Sequence, residues 1–185
     1  MHSDLVTSGE LKRMIDEDGL KGMTSNPAIF EKAIVGGAEY ASDLERLRSN
    51  GSLNAMAIYE GLAIKDIQSA ADVLRVVYDR TDGRDGYVRM EVSPYLARDT
   101  EKTLNEARRL WKAIGRPNIM IKIPGTVEGL PAIRQAQSEG ININITLLFA
   151  QQRYEEVAEA FMSGLEDLPP AAATSTAWRA WPASS

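Results

Sequence analysis

Four short runs of this chain alternate apolar and polar residues, and each is followed by a longer stretch with helical spacing. The runs are 21–26, 87–93, 118–123 and 141–149. Alternation puts successive side chains on opposite faces of a strand. A strand–helix unit repeated in this way calls for a parallel α/β sheet with helices packed outside it. The spacing predicts helices over 7–18 (capped by Thr7 or Ser8, stopped by Gly19), 28–35, 40–50, 54–79 with a break near Asp66, 100–114 with Thr100 as cap, 127–139 and 151–166. Thr81-Asp82-Gly83-Arg84-Asp85-Gly86 has the turn chemistry of a loop.

Parity then sorts the strand residues. Ile119, Ile121 and Ile123 share a face, opposite Met120 and Lys122. Val88, Met90 and Val92 oppose Arg89, Glu91 and Ser93. Ile143, Ile145 and Leu147 oppose Asn142, Asn144, Thr146 and Leu148, while Thr24 and Asn26 oppose Met23. A parallel sheet covered by helices on both sides is apolar on both faces. A polar face repeated toward the strands' C-terminal ends fits a closed β/α barrel, whose active sites lie at that end. It also fits the solvent side of an open, half-covered sheet.

Composition narrows the chemistry. The chain has 185 residues, no cysteine, a single histidine at His2 and a formal net charge of -5. Thiolate, disulfide, Ser-His-Asp and histidine–metal chemistry are therefore set aside. The negative balance disfavours nucleic acid and anionic membrane as partners. No apolar run reaches transmembrane length, and Met1-His2-Ser3-Asp4 does not read as an export signal. A cytoplasmic protein free of cofactor and metal is the expectation.

An enzyme of this composition draws on lysine, carboxylates, amides and hydroxyls. Lys122 lies between two isoleucines, just before Pro124-Gly125-Thr126. Burial disfavours a lysine's ammonium form, and a neutral amine is what attacks a carbonyl to make a Schiff base. Glu91, on the same face of the preceding strand, is a candidate acid or base acting through water. Asn26 and Asn144 are candidate donors to a sugar hydroxyl, and Thr146 is a candidate holder of the water. The plainer readings are a solvated lysine and asparagines or threonines that form turns and caps.

Four blocks together resemble the transaldolase family: Gly22-Met23-Thr24-Ser25-Asn26-Pro27-Ala28-Ile29-Phe30, Glu91-Val92-Ser93-Pro94 with Tyr95-Leu96-Ala97, Ile121-Lys122-Ile123-Pro124-Gly125-Thr126, and Gly140-Ile141-Asn142-Ile143-Asn144-Ile145-Thr146-Leu147-Leu148-Phe149. The pattern is most similar to a bacterial branch of stand-alone transaldolases and fusions with glucose-6-phosphate isomerase. The resemblance implies a β/α barrel. It also implies transfer of a dihydroxyacetone unit from a ketose phosphate, sedoheptulose 7-phosphate, to glyceraldehyde 3-phosphate in the non-oxidative pentose phosphate pathway. Position by position it implies Lys122 as the Schiff-base lysine, Glu91 as acid/base, Thr146 as the water's partner, and Asn26 and Asn144 as ligands of the dihydroxyacetone unit. A fructose-6-phosphate-type aldolase shares such a lysine, and an inactive fragment of an interrupted gene is the non-enzymatic alternative.

The family's first strand carries a proton-moving aspartate in a Trp-x-Asp-x-Ile-like segment, and the alignment puts it ahead of Met1; Asp4 is out of register. A later Phe-Val-Ser-Arg-like strand, whose Ser and Arg hold the substrate phosphate, has no match either. The expectation is an incomplete (β/α)8 barrel over 1–168, with about four of eight strands, and an irregular segment over 169–185. The latter is rich in Pro, Ala, Thr and Ser and holds Trp178 and Trp181 without an apolar face.

Two predictions follow from the resemblance. Purified residues 1–185 should turn over slowly or not at all, because loss of a positioned acid/base group alone costs roughly 10²–10⁴ in rate; a coupled assay of aldose phosphate transfer measures it. The segment after Leu168 should be an out-of-frame reading. Shifted to the third base of the Pro169 codon, the triplets spanning Trp178–Arg179 (where arginine is CGN) and Trp181–Pro182 become GCG and GCC. Both encode Ala, and the open triplets permit the Val-Ala-Ser-Val-Ala-Ser run that leads into the family's Ser-Arg strand. Sequencing the DNA across this point decides the matter; a shifted frame that does not run on into that strand refutes it.

Overall fold

A computed structural model describes residues 3–25, 40, 45 and 55–169. Asn26, the predicted helix 28–35, nearly all of 40–50, and Trp178 and Trp181 lie outside the described residues.

The helical spacing at the N-terminal end resolves into two short helices, α1 (Ser3–Thr7) and α2 (Glu10–Asp16), in place of one. Gly9 has φ 81°, a left-handed conformation that ends the first helix and caps the second. Thr7 is thus the end of α1, while the Ser8 hydroxyl accepts from the Glu10 N–H at 3.3 Å. Leu11 and Ile15, one turn apart, are buried. Strand β1 (Gly22–Thr24) follows.

Helix α3 (Ala55–Arg80) is continuous through Asp66. The aspartate is buried, and its carboxylate accepts a 2.6 Å bond from the Tyr40 hydroxyl. A carboxylate supplied with a partner does not need to break the helix to find water. Leu62, Ala63, Ile67, Ala70, Ala71, Leu74 and Val77 recur at three- and four-residue spacing on the inward stripe of α3. Its C-terminal turn comes so close to the next strand that a Cβ on Gly86 would lie 2.3 Å from the Tyr78 nitrogen.

Strand β2 (Tyr87–Glu91) leads through a 3₁₀ turn to α4 (Thr100–Ile114). Asp99, not Thr100, caps α4, accepting from the Lys102 N–H at 3.0 Å. The Thr100 hydroxyl instead donates to the Glu128 carbonyl at 2.6 Å, tying two loops together. Strand β3 (Ile119–Pro124), α5 (Gly129–Ser138), β4 (Ile143–Thr146) and α6 (Gln151–Glu166) complete the described chain. The fourth strand is shorter than its alternation suggests. Leu147 has φ 65° and is exposed, so parity fails there, and Leu148 packs on the core.

The strands form one parallel sheet in the order β1-β2-β3-β4. Crossovers between parallel strands are right-handed almost without exception, so crossovers that all step in one direction put their helices on one face of the sheet. That face is the core. Val88, Met90, Val92, Ile119, Ile121, Ile123 and Ile143 meet Leu74, Val77, Leu110, Ile114 and Ile133 from the helices. The fold is α/β, and the described residues hold four strands of the strand–helix kind that close a barrel in eights.

Two buried asparagines anchor the strand starts. Asn118 donates through Nδ2 to the Ala71 and Gly86 carbonyls at 2.8 and 2.9 Å. Asn142 donates through Nδ2 to the Pro117 and Ile119 carbonyls at 3.3 and 3.1 Å. Each sits one residue ahead of its strand.

Gly164 is buried in α6, and a Cβ there would lie 2.6 Å from the Arg134 carbonyl oxygen and 2.7 Å from Gln137 Cβ in α5. Helix propensity alone favours Gly164→Ala by about 1 kcal/mol. Overpacking costs about 1–3 kcal/mol and here must move backbone, so the substitution should lower stability in urea unfolding. A rise in the unfolding midpoint would contradict this packing.

Candidate active site

The side of the sheet away from the helices carries the second set of strand residues. Parallel pairing sets Thr24 beside Arg89 and Arg89 beside Met120. One step along, Glu91 pairs with Lys122 and Lys122 with Asn144; beyond that, Pro124 pairs with Thr146. The polar residues thus fall in lateral rows toward the C-terminal ends of the strands.

Lys122 and Glu91 meet directly. Lys122 Nζ lies 3.0 Å from Glu91 Oε2, and the two side chains are 12% and 20% exposed. The lysine also donates to the Ser25 carbonyl at 3.3 Å. Ser25 is held in turn by Arg89, whose carbonyl accepts from the Ser25 hydroxyl at 2.7 Å and from the Ser25 N–H at 3.2 Å. β1, β2 and β3 therefore all contribute to the surroundings of one amine.

Asn144 is buried next to Lys122 in the row. Thr146 Oγ1 is buried without a hydrogen-bond partner among the described residues, so the hydroxyl keeps its donor and acceptor capacity. The loop after β3 is fastened on both sides. Gly125 N–H donates to the Thr146 carbonyl at 2.8 Å, and the Thr126 hydroxyl donates to the Ala97 carbonyl at 2.6 Å. Tyr95, Val127, Leu147 and Phe149, from the segments following β2, β3 and β4, expose apolar surface at this end.

Of the residues that parity put forward, Lys122 and Glu91 are in contact, Asn144 adjoins them in register, and Thr146 lies on the next row. Asn26 falls outside the described residues. Two contributors were not singled out from sequence. The Ser25 carbonyl is a backbone atom, which no residue type announces. Arg89 did carry a signal, as a charged residue on the same face of the same strand as Glu91. Its Nε is buried without a hydrogen-bond partner among the described residues, and burial lowers the guanidinium's pKa from its usual value. At the other end of the face the Tyr87 hydroxyl donates to the Gly83 carbonyl at 2.7 Å, and burial pushes that phenol up.

The described residues hold no group of three or more His, Cys, Asp or Glu side chains suited to a metal, and no helix long and apolar enough to cross a membrane. The chemistry on offer is that of an amine, a carboxylate, an amide and a hydroxyl on one face.

Comparison with known proteins gives the chain a family. The profile of the transaldolase/fructose-6-phosphate aldolase family matches residues 2–177. A transaldolase of Trichodesmium erythraeum is 53% identical over 163 residues, which is 88% of this chain and 43% of that protein. Transaldolase 2 of Nostoc punctiforme is also 53% identical over 163 residues, covering 88% and 42% of the two chains. A transaldolase of Thermobifida fusca is 51% identical over 161 residues, 87% of this chain and 44% of its own. The chain thus spans less than half the length of these relatives.

Arg89 Nε is buried with no hydrogen-bond partner among the described residues, and burying a guanidinium donor unsatisfied costs stability. Arg89→Met keeps most of the length and removes the charge. It should raise stability by about 1 kcal/mol in chemical unfolding, the lower end of the cost of an unsatisfied buried donor. A loss of that size would mean that the guanidinium holds the sheet together.

Proposed function

The chain belongs to the transaldolase/fructose-6-phosphate aldolase family, and from that premise we propose that Lys122 is the Schiff-base lysine of a transaldolase site. The substrate pair is a ketose phosphate donor, sedoheptulose 7-phosphate, and glyceraldehyde 3-phosphate as acceptor. The setting is the non-oxidative pentose phosphate pathway of the cytoplasm, with neither nucleic acid nor membrane as partner. The observation that carries the reading is the 3.0 Å contact between two mostly buried groups, an amine and a carboxylate, on the polar face of the sheet.

The steps follow from that contact. The Glu91 carboxylate takes a proton from Lys122, leaving an amine with a lone pair. The lone pair adds to the ketone carbon, and the carbonyl oxygen takes the proton back through water. Glu91 then takes a second proton from the nitrogen and passes it to that hydroxyl; loss of water, with the freed nitrogen lone pair forming C=N⁺, gives the iminium and leaves one N–H. Cleavage of the C3–C4 bond sends its electron pair into the iminium as an enamine and frees an aldose phosphate. The aspartate that the resemblance implies for the C4 hydroxyl proton matches no residue of this sequence. Asn144 and Asn26 are assigned to the hydroxyls of the retained unit, and Thr146, with its unpaired hydroxyl, to the water that serves Glu91.

The family description also covers an aldolase. The two readings differ in what becomes of the enamine. An aldolase protonates it and releases dihydroxyacetone, whereas a transaldolase holds it until an acceptor aldehyde arrives.

Incubation with dihydroxyacetone and borohydride, which needs no carbon–carbon cleavage, should fix a three-carbon adduct on Lys122, read by peptide mass spectrometry. Lys122→Ala and Lys122→Arg should both lose it. Arginine keeps a cation beside Glu91 but stays protonated and cannot attack a carbonyl. An adduct retained by either variant, or none on the parent chain, would sink the assignment.

A further inference from the structure

We infer that Ser25 is a positioning residue for Lys122, using its backbone carbonyl to hold the one N–H that must stay on the nitrogen while Glu91 moves the others. The inference rests on Lys122 acting as the Schiff-base lysine.

Ser25 follows β1 and is 2% exposed. Its hydroxyl and its N–H converge on a single acceptor, the Arg89 carbonyl, at 2.7 and 3.2 Å. That double contact holds the nitrogen and the side chain of Ser25, and so anchors the residue whose carbonyl lies 3.3 Å from Lys122 Nζ. The amine therefore has two acceptors of different kinds. Glu91 is basic and exchanges protons. An amide carbonyl accepts a hydrogen bond but does not remove the proton.

The difference matters at each stage. The ammonium has three N–H groups, of which Glu91 and the Ser25 carbonyl take two. After Glu91 removes one proton, the neutral amine keeps two N–H groups and a lone pair. A bond to Ser25 limits rotation about the terminal C–N bond and so narrows the directions the lone pair explores. When the lone pair has bonded to the ketone carbon and water has left, the nitrogen retains a single N–H. The iminium accepts the C3–C4 electron pair only while that proton remains. The Ser25 carbonyl holds it there, and Glu91 is free to work on the substrate's hydroxyls. Nothing is oxidised or reduced, and the proton count is that of Schiff-base formation itself.

The test uses the whole chain with dihydroxyacetone as the ketone and cyanoborohydride as the trap, following the intact mass over time and over ketone concentration. Ser25→Ala removes the hydroxyl of the latch, and Ser25→Thr restores one. Since Ser25 does not touch the ketone in this scheme, Ser25→Ala should lower the maximal adduct rate by about 10- to 100-fold, the scale of a misaligned reacting group. It should leave the half-saturating concentration within about twofold, a near-unchanged ground-state affinity. Ser25→Thr should recover most of the rate. Circular dichroism corrects each rate for the folded fraction. Adduct on the parent chain with an equal corrected rate for Ser25→Ala overturns the inference alone. So does a slow rate in Ser25→Ala that folded Ser25→Thr does not recover. No Lys122 adduct on the parent chain overturns the Schiff-base reading and this inference with it.

Discussion

The register between β2 and β3 puts Glu91 across from Lys122, and the rest of the polar face takes its meaning from that pairing. In a strand, a slip of one residue would turn every side chain to the other face. Lys122 would then enter a layer where Ile121 and Ile123 are fully buried, and the isoleucines would face the carboxylate. Moving a charge into that layer is costly enough to exclude the slip. Buried asparagines add a second restraint. Asn118 and Asn142 each span two backbone carbonyls at the starts of β3 and β4, so the strands are set at their N-terminal ends and carry Lys122, Asn144 and Thr146 toward the other.

This arrangement divides one sheet between two tasks. The helix-covered face is apolar and close-packed, and it holds the strands parallel. The other face carries amide, hydroxyl, amine and carboxylate groups in rows whose spacing the backbone dictates. The sequential strand order is what separates the tasks, because helices that all lie on one side leave the opposite side free for polar side chains. In a sheet wound in both directions that side would be covered as well.

Much of this was legible in the residues. The strand–helix repeat gave the architecture, and alternation alone put Lys122, Glu91, Asn144 and Thr146 on one face. Where local reading failed, a distant partner had changed the local preference. Asp66 looked like a break until Tyr40 supplied a hydroxyl to its carboxylate. Thr100 looked like a cap, but its hydroxyl bonds a carbonyl 28 residues away, and the neighbouring Asp99 takes the role. The alternation in 141–149 ran past Thr146 because sequence does not reveal the left-handed turn at Leu147. The Ser25 carbonyl was beyond reach for a different reason, since every residue has one and only the fold selects which of them meets an amine.

The contact between Lys122 and the Ser25 carbonyl joins residues 97 positions apart. During synthesis β1 leaves the ribosome long before β3 exists, and closing so long a segment is among the later and more entropically demanding events in forming the sheet. Until then the lysine lacks that carbonyl, whereas Glu91 lies only 31 positions away. An amine whose most distant partner lies this far back along the chain meets its final surroundings only when the polypeptide between them has folded.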